Sequence, residues 1–446
     1  MTEKMKPSRI AWIGDIPQDW NIKRVKYLAS LKGRIGWQGL TSDEYIDEGP
    51  YLITGVDFQN GGIDWSNCVC ISEERWAEAP EIHIQNGDLL ITKDGTVGKV
   101  AIVSGLEGKA SLNSGVLLIR THSDFDKRFL FWVLQSEEFW TWFRLKNAGN
   151  STIIHLYQGD FAEFSYTFPN VMEQCAIADF LDAQCSKIDS VIADIEKQIE
   201  TLQKYKKSLI TETVTKGLNR SVPMKDSGFV WIGEIPAHWK VQPIKYLTEI
   251  ISKGATPDDI SGETDNRYTI RFIKAENIQD NMLQNSPEFY IDRHTNNQLQ
   301  RSFLHENDVL FVIAGATIGK VALVKNHFLP SNINQAVCFL RFNKRYIGNA
   351  EYFCYVLQSQ IITEVIKLYT VQAAQPNLSM GNIANICVPV PEQSEMLAIT
   401  AYLDRKLQTI EDIIANKREE LLTVQQHKKS LIYEYVTGKK RVKEVR

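Results

Sequence analysis

Glycines followed by a lysine after an apolar run are the residues in this 446-residue chain whose type and spacing come nearest to chemistry, in the stretch ITKDGTVGKV at 91–100. A phosphate loop of the GxxxxGK[ST] kind needs a glycine five places before the second glycine and a hydroxyl after the lysine. Those places hold Lys93 and Val100. The stretch therefore predicts a glycine turn in a β-hairpin rather than a nucleotide site. Metal chemistry finds no better footing. Cys68 and Cys70 are separated by a single residue, no CxxC or HExxH occurs, and seven cysteines fit reduced thiols better than a disulfide framework. No structural metal is expected. The histidines at 83, 122, 155, 238, 294, 305, 327 and 427 are scattered and read as surface or hydrogen-bonded side chains.

The elements that position this turn occur twice. WIGDIPQDWNIKRVKYL (12–28) returns as WIGEIPAHWKVQPIKYL (231–247), and ITKDGTVGKVAIV returns as VIAGATIGKVALV (312–324). VLQS recurs at 133 and 356, and KKSLI at 206 and 428, so one unit of about 220 residues is used twice. At 43% apolar residues the chain can fill two or three cores. The first part of each unit has short alternating runs broken by Gly, Asn and Asp, which read as a mainly β or α+β globule. A stretch of about 45 residues without Gly or Pro follows, with a seven-residue apolar recurrence. In the first unit the seam is Leu181, Ile188, Ile195, Leu202 and Leu209 with Ala178, Cys185, Ile192 and Ile199. In the second it is Leu403, Ile410, Val424 and Leu431 with Leu407, Ile414 and Leu421, interrupted by Lys417. Each helix should be about 65 Å long at roughly 1.5 Å per residue. With a whole globule between them in sequence, antiparallel pairing about a pseudo-twofold axis is expected, with Lys206 near Asp404 and Lys428 near Asp182.

This ordered, twice-used set resembles the DNA specificity subunit of type I restriction-modification systems. The motifs are the WIG-IP-W opening, the GD-L-I…G-GK-A hairpin, and the closing segments FPNVMEQCAIADFLD (168–182) and VPVPEQSEMLAITAYLD (388–404) before helices that carry KKSLI. The second closing segment departs from the first, with Glu395-Met396 where Glu173-Gln174 stands. The resemblance implies an α+β chain with two similar target-recognition domains, mainly β with peripheral helices, separated by two long antiparallel coiled-coil helices. The divisions would be 1–170 (domain 1), 171–216 (helix), 217–230 (linker), 231–390 (domain 2), 391–437 (helix) and 438–446 (basic tail). Double-stranded DNA would be the target, each domain reading half of a bipartite, asymmetric site, with the helices as spacer and as dock for two methyltransferase subunits. Restriction subunits would join through the complex. The chain itself would hold no cofactor: S-adenosylmethionine belongs to the methyltransferase partner, ATP and magnesium to the restriction partner.

The residues agree that chemistry is supplied elsewhere, since neither a base-flipping methyltransferase run nor a glycine fingerprint for S-adenosylmethionine is present. A nuclease or nucleotide hydrolase using the Gly-Lys loops, and a coiled-coil protein scaffold, are the alternative readings. Net charge is −4, with −5 over residues 1–170. Bulk electrostatics would therefore not give tight DNA binding, and basic residues must be concentrated locally or partner subunits must supply the phosphate clamp. DNA-facing groups should lie in loops where the repeats differ. Gly98 and Gly319, Val100 and Val321, Asn113 and Asn334 are shared and read as scaffold. The candidate DNA-binding residues are Gln59, Asn60, Lys93, Asp94, Thr96, Lys99, Ser151, Thr152 and His155 in the first repeat. In the second they are Arg271, Lys274, Asn277, Gln279, Lys320, Gln372, Gln375 and Asn377. Amides offer adenine's edge a paired donor and acceptor, and Lys or Arg bond guanine or phosphate. No window of roughly 18 apolar residues suggests a membrane span, and the start lacks a secretory signal, so the cytoplasm is the expected location.

Overall fold

The computed structural model describes residues 4–34, 40–148, 154–370 and 377–442. It divides into two compact units, Met1–Glu196 with Glu419–Arg446, and Lys197–Arg418.

Strand pairing in the first unit centres on a four-stranded antiparallel sheet in the order Val100–Ile102, Leu89–Thr92, Val116–Thr121, Ala29–Gly33. Every residue of Leu89-Leu90-Ile91-Thr92 is buried, because the sheet is covered on both faces. Side chains alternate across a strand, so Leu89, Ile91, Val100, Leu117 and Ile119 enter one core while Leu90, Ala101, Val116 and Leu118 enter the other. The first core is closed by the helices Lys127–Leu134 and Glu137–Lys146 and by Ile177, Ala178, Leu181 and Cys185 of the long helix Val171–Lys216. A second sheet runs Ala110–Leu112, Ile46–Ile53, Val69–Cys70, its first pair parallel. Ser165–Phe168 pairs with Asn21–Arg24, which joins the start of the unit to the residues just before its long helix.

The second unit repeats this strand for strand. Its central sheet runs Thr248–Lys253, Val337–Phe342, Val309–Val312, Val321–Leu323. Val309, Phe311, Cys338 and Leu340 face one core, and Leu310, Val312, Val337 and Phe339 the other. Its smaller sheet again has a parallel pair, Tyr268–Ile273 with Ser331–Ile333. Met224–Asp226, inside the segment read from sequence as a linker, pairs with Glu234–Pro236 as Met5–Pro7 pairs with Asp15–Pro17. The repeat therefore begins upstream of its WIG motif. Residues 438–442, read as a basic tail, are docked within the first unit: Arg441 bonds Asp19 at 2.6 Å and Glu173 at 2.9 Å, and Gly438 abuts Pro17 and Trp20.

The long helices pair antiparallel in each unit. The rings of Phe180 and Tyr435 lie 4.4 Å apart at a tilt of 34°, and Lys428 bonds Asp189 at 2.5 Å in the first; Lys206 bonds Glu411 in the second. Both ion pairs lie one heptad from the positions expected, since Asp189 and Glu411 take the places given to Asp182 and Asp404. The reason is local. Asp182 accepts the Trp132 indole N–H at 2.8 Å and an Arg128 N–H at 3.2 Å, and Asp404 accepts the Tyr355 hydroxyl, so each carboxylate turns to the short helix of its own globule. Of the seam, Leu181, Ile195, Leu209, Leu403, Leu407, Ile410 and Ile414 are buried. Ile188, Ile192, Ile199, Leu202, Leu421, Val424 and Leu431 are half-buried, as in a seam only two helices deep.

Candidate nucleic-acid interface

The opening glycine-lysine stretch is a hairpin turn. Leu89–Thr92 and Val100–Ile102 are its arms, Gly98 N–H donates to Thr92 O at 2.8 Å, and Lys99 N–H donates to Thr92 Oγ1 at 2.9 Å. Gly98 has φ +85° and Gly319 +87°. A Cβ at Gly98 would lie 2.3 Å from the Trp140 ring, and one at Gly319 2.5 Å from Ile366 Cδ1. The glycines are demanded by backbone and packing alike, which satisfies the motif without any phosphate.

Several candidate residues meet around this turn in the first unit. Lys93 N–H donates to Gly115 O at 2.8 Å, and Leu156 N–H to Lys93 O at 2.9 Å. Asp94 Oδ1 accepts Nδ1–H of His155. Thr96 Oγ1 and Lys99 Nζ both donate to Gly55 O, at 3.4 and 3.3 Å. Loops from four places in the sequence thus converge on one surface, and three apolar side chains that sequence reasoning missed lie exposed in them: Val56 at 72%, Ile154 at 53% and Tyr157 at 58%. Position in a polar loop gave no signal for them; their exposure did.

The second unit keeps the backbone and changes the side chains. Ile313 N–H donates to Ala336 O and Leu378 N–H to Ile313 O, each at 2.9 Å, while Ala314 and Asn377 form a backbone bridge. Asn377 is exposed. Lys320 shares a cleft of about 400 Å³ with Asp280, Asn281, Lys207 and Lys367. Gln59 and Asn60, like Gln279 and Asp280, sit at the tip of a tight hairpin with positive φ at Asn60 (+50°), Gly61 (+77°), Asp280 (+48°) and Asn281 (+59°). That is the pattern of a type I′ turn, for which Asn and Gly are suited.

Three candidates are occupied within their own fold. Asn277 is buried at 1% exposure, its amide N–H donating to Pro287 O at 2.6 Å and its oxygen accepting Lys274 N–H at 3.0 Å. Lys274 Nζ lies 3.5 Å from the Phe289 ring centroid. The Arg271 guanidinium donates to the carbonyls of Gln284 and Asn285. Ser151, Thr152, Gln372 and Gln375 lie outside the described residues.

A repeated ion pair holds each central sheet, with Arg120 bonded to Asp88 at 2.7 Å and Arg341 to Asp308 at 2.7 Å. Each arginine also donates to a carbonyl, of His83 or Phe303. Burial pushes the Asp308 carboxyl above its ordinary value, against the pull of Arg341; the bond to Asp88 raises Arg120. Among the described residues, no group of three or more His, Cys, Asp or Glu is arranged to hold a metal ion, and no helix is long and apolar enough to cross a membrane.

The model of the type I restriction modification DNA specificity domain matches the chain twice, over residues 17–201 and 236–422. The chain belongs to that family, whose role is DNA sequence recognition and is non-catalytic. The chain is 26% identical over 438 residues to the type I restriction enzyme MjaVIII specificity subunit of Methanocaldococcus jannaschii, covering 96% of this chain and 94% of that one. It is 26% identical over 441 residues to the putative type I restriction enzyme MjaX specificity subunit of the same organism, covering 97% and 96%. A solved structure described as the basis of complex assembly and conformational transition in the type I system has the same fold, with TM-score 0.70 at 14% identity over 95% of this chain and 99% of that one.

Proposed function

We propose that each unit reads one half of a bipartite, asymmetric site on double-stranded DNA, and that the two long helices set the spacing between the halves. One observation carries this reading: two copies of one hydrogen-bonded turn present different side chains, Asp94 and His155 in the first against Ala314 and Asn377 in the second. A fold kept twice with its exposed residues changed is what reading two different half-sites requires.

The helices also expose Val191 (46%) and Ile413 (41%) at equivalent places in the repeat. In this reading the helices dock two methyltransferase subunits, with restriction subunits joining through the complex. S-adenosylmethionine, ATP and magnesium then act in those partners, and the complex works in the cytoplasm. The test is to exchange residues 12–170 for the same region of another specificity subunit, co-express the methyltransferase and sequence the methylome. One half of the methylated motif should change and the other stay. A change in both halves, or in neither, overturns the assignment.

A further inference from the structure

We propose that the Asp94–His155 pair is a base-reading element for the half-site of the first unit, an assignment that rests on the DNA-reading role proposed above. The partners are 61 residues apart in sequence and are brought together by the Leu156 N–H bond to Lys93 O at 2.9 Å. A carboxylate has no proton to give, so Nδ1 of His155 is the donor to Asp94. In the neutral ring Nε2 is then an acceptor, in an orientation fixed by the carboxylate. An acceptor at that place matches the exocyclic amine of adenine or cytosine in the major groove.

Two observations separate this role from mere support of the turn. The second unit builds the same turn with Ala314 and Asn377 joined through their backbones, so the fold does not need the side-chain pair. The pair is also open to a ligand, with side-chain exposures of 36% for His155 and 39% for Asp94, and a polar pair so exposed adds little to stability. Its neighbours suit DNA. Lys99 spends one of three N–H donors on Gly55 O and keeps others for a phosphate, and exposed Val56 and Ile154 can meet a thymine methyl.

The experiment uses the full chain co-assembled with its methyltransferase, with His155→Ala and Asp94→Ala compared by methylome sequencing. Asp94→Ala copies the residue the second unit already tolerates, so it keeps the test available if the histidine variant folds poorly. Both variants should relax one adenine or cytosine position in one half-site, lowering discrimination there by about five- to tenfold, and leave the other half-site unchanged. An unchanged motif overturns the proposal. So does uniform weakening at every position, which would make the pair a brace for the turn. If exchange of residues 12–170 rewrites one half-site while these variants do not, the pair alone is refuted; if that exchange changes nothing, the DNA-reading assignment of the unit fails first.

Discussion

The two units place the same backbone under different side chains, as an exposed turn and a buried strand end illustrate. At the exposed turn a hydrogen-bonded side-chain pair in the first unit is replaced by alanine and asparagine in the second, while the backbone bond from Leu156 N–H to Lys93 O is kept as that from Leu378 N–H to Ile313 O. At the strand end the exchange is steric. Arg34 of the first unit is buried at 3% exposure and donates to Leu112 O at 2.7 Å and Ser111 Oγ at 3.0 Å. The second unit has Gly254 there, where a Cβ would come within 1.8 Å of Ile333 O. One solution fills the space with a hydrogen-bonded side chain and the other brings the backbone in. The comparison teaches that this scaffold is over-determined by its sheets and cores, so surface and edge residues are free to differ.

The largest test of that equivalence is the buried arginine–aspartate pair. Side-chain exposure is 12% and 0% for Arg341 and Asp308, against 37% and 9% for Arg120 and Asp88. Arg341→Met should cost about 3–5 kcal/mol, because it strands a wholly buried carboxylate. Arg120→Met should cost about 1–2 kcal/mol, since water reaches its partner more easily. Hydrogen exchange of Val309–Val312 and of Leu89–Thr92 reads the two losses separately, and equal losses would break the distinction.

A smaller effect, of opposite sign, is expected at Glu138. It is 6% exposed, Oε2 has no hydrogen-bond partner among the described residues, and burial pushes its carboxyl above the ordinary carboxylate range. The equivalent position in the second unit is the fully buried Ile361. Glu138→Ile should stabilise the first unit by about 1–3 kcal/mol at neutral pH, by removing a buried carboxylate with one oxygen unsatisfied. Because the folded-state pKa is raised, the wild-type carboxyl's contribution is lost as pH rises through that value and recovered on acidification towards the unfolded value near 4.5. The advantage of the variant in melting temperature should therefore shrink as pH falls. An advantage that grows would contradict the assignment.

The smallest effect sharpens the symmetry of the helices. Lys206–Glu411 and Lys428–Asp189 occupy equivalent places, with acid side chains 41% and 54% exposed. Lys206→Met and Lys428→Met should each cost about 0.2–1 kcal/mol, less at high salt. Denaturant titrations that gave one of them a cost above 2 kcal/mol on the scale of buried pairs would show that the two are not equivalent.

Sequence alone determined the duplication, the alternation of the central strands, the heptad seam and the glycine turn, because each rests on local pattern: period two, period seven, or a residue type that a backbone angle demands. The family resemblance was legible for the same reason, as an ordered set of such local patterns used twice. Tertiary structure decided what depends on distance between remote segments. It drew His155 to Asp94 across 61 residues and turned Asp182 and Asp404 away from the helix partners expected of them. It also folded residues 224–226 and 438–442 onto the units beside them, and buried Asn277 where composition suggested an exposed reader. Spacing along a chain fixes which face of a strand or helix a side chain takes; which other segment meets that face is settled only when the cores close.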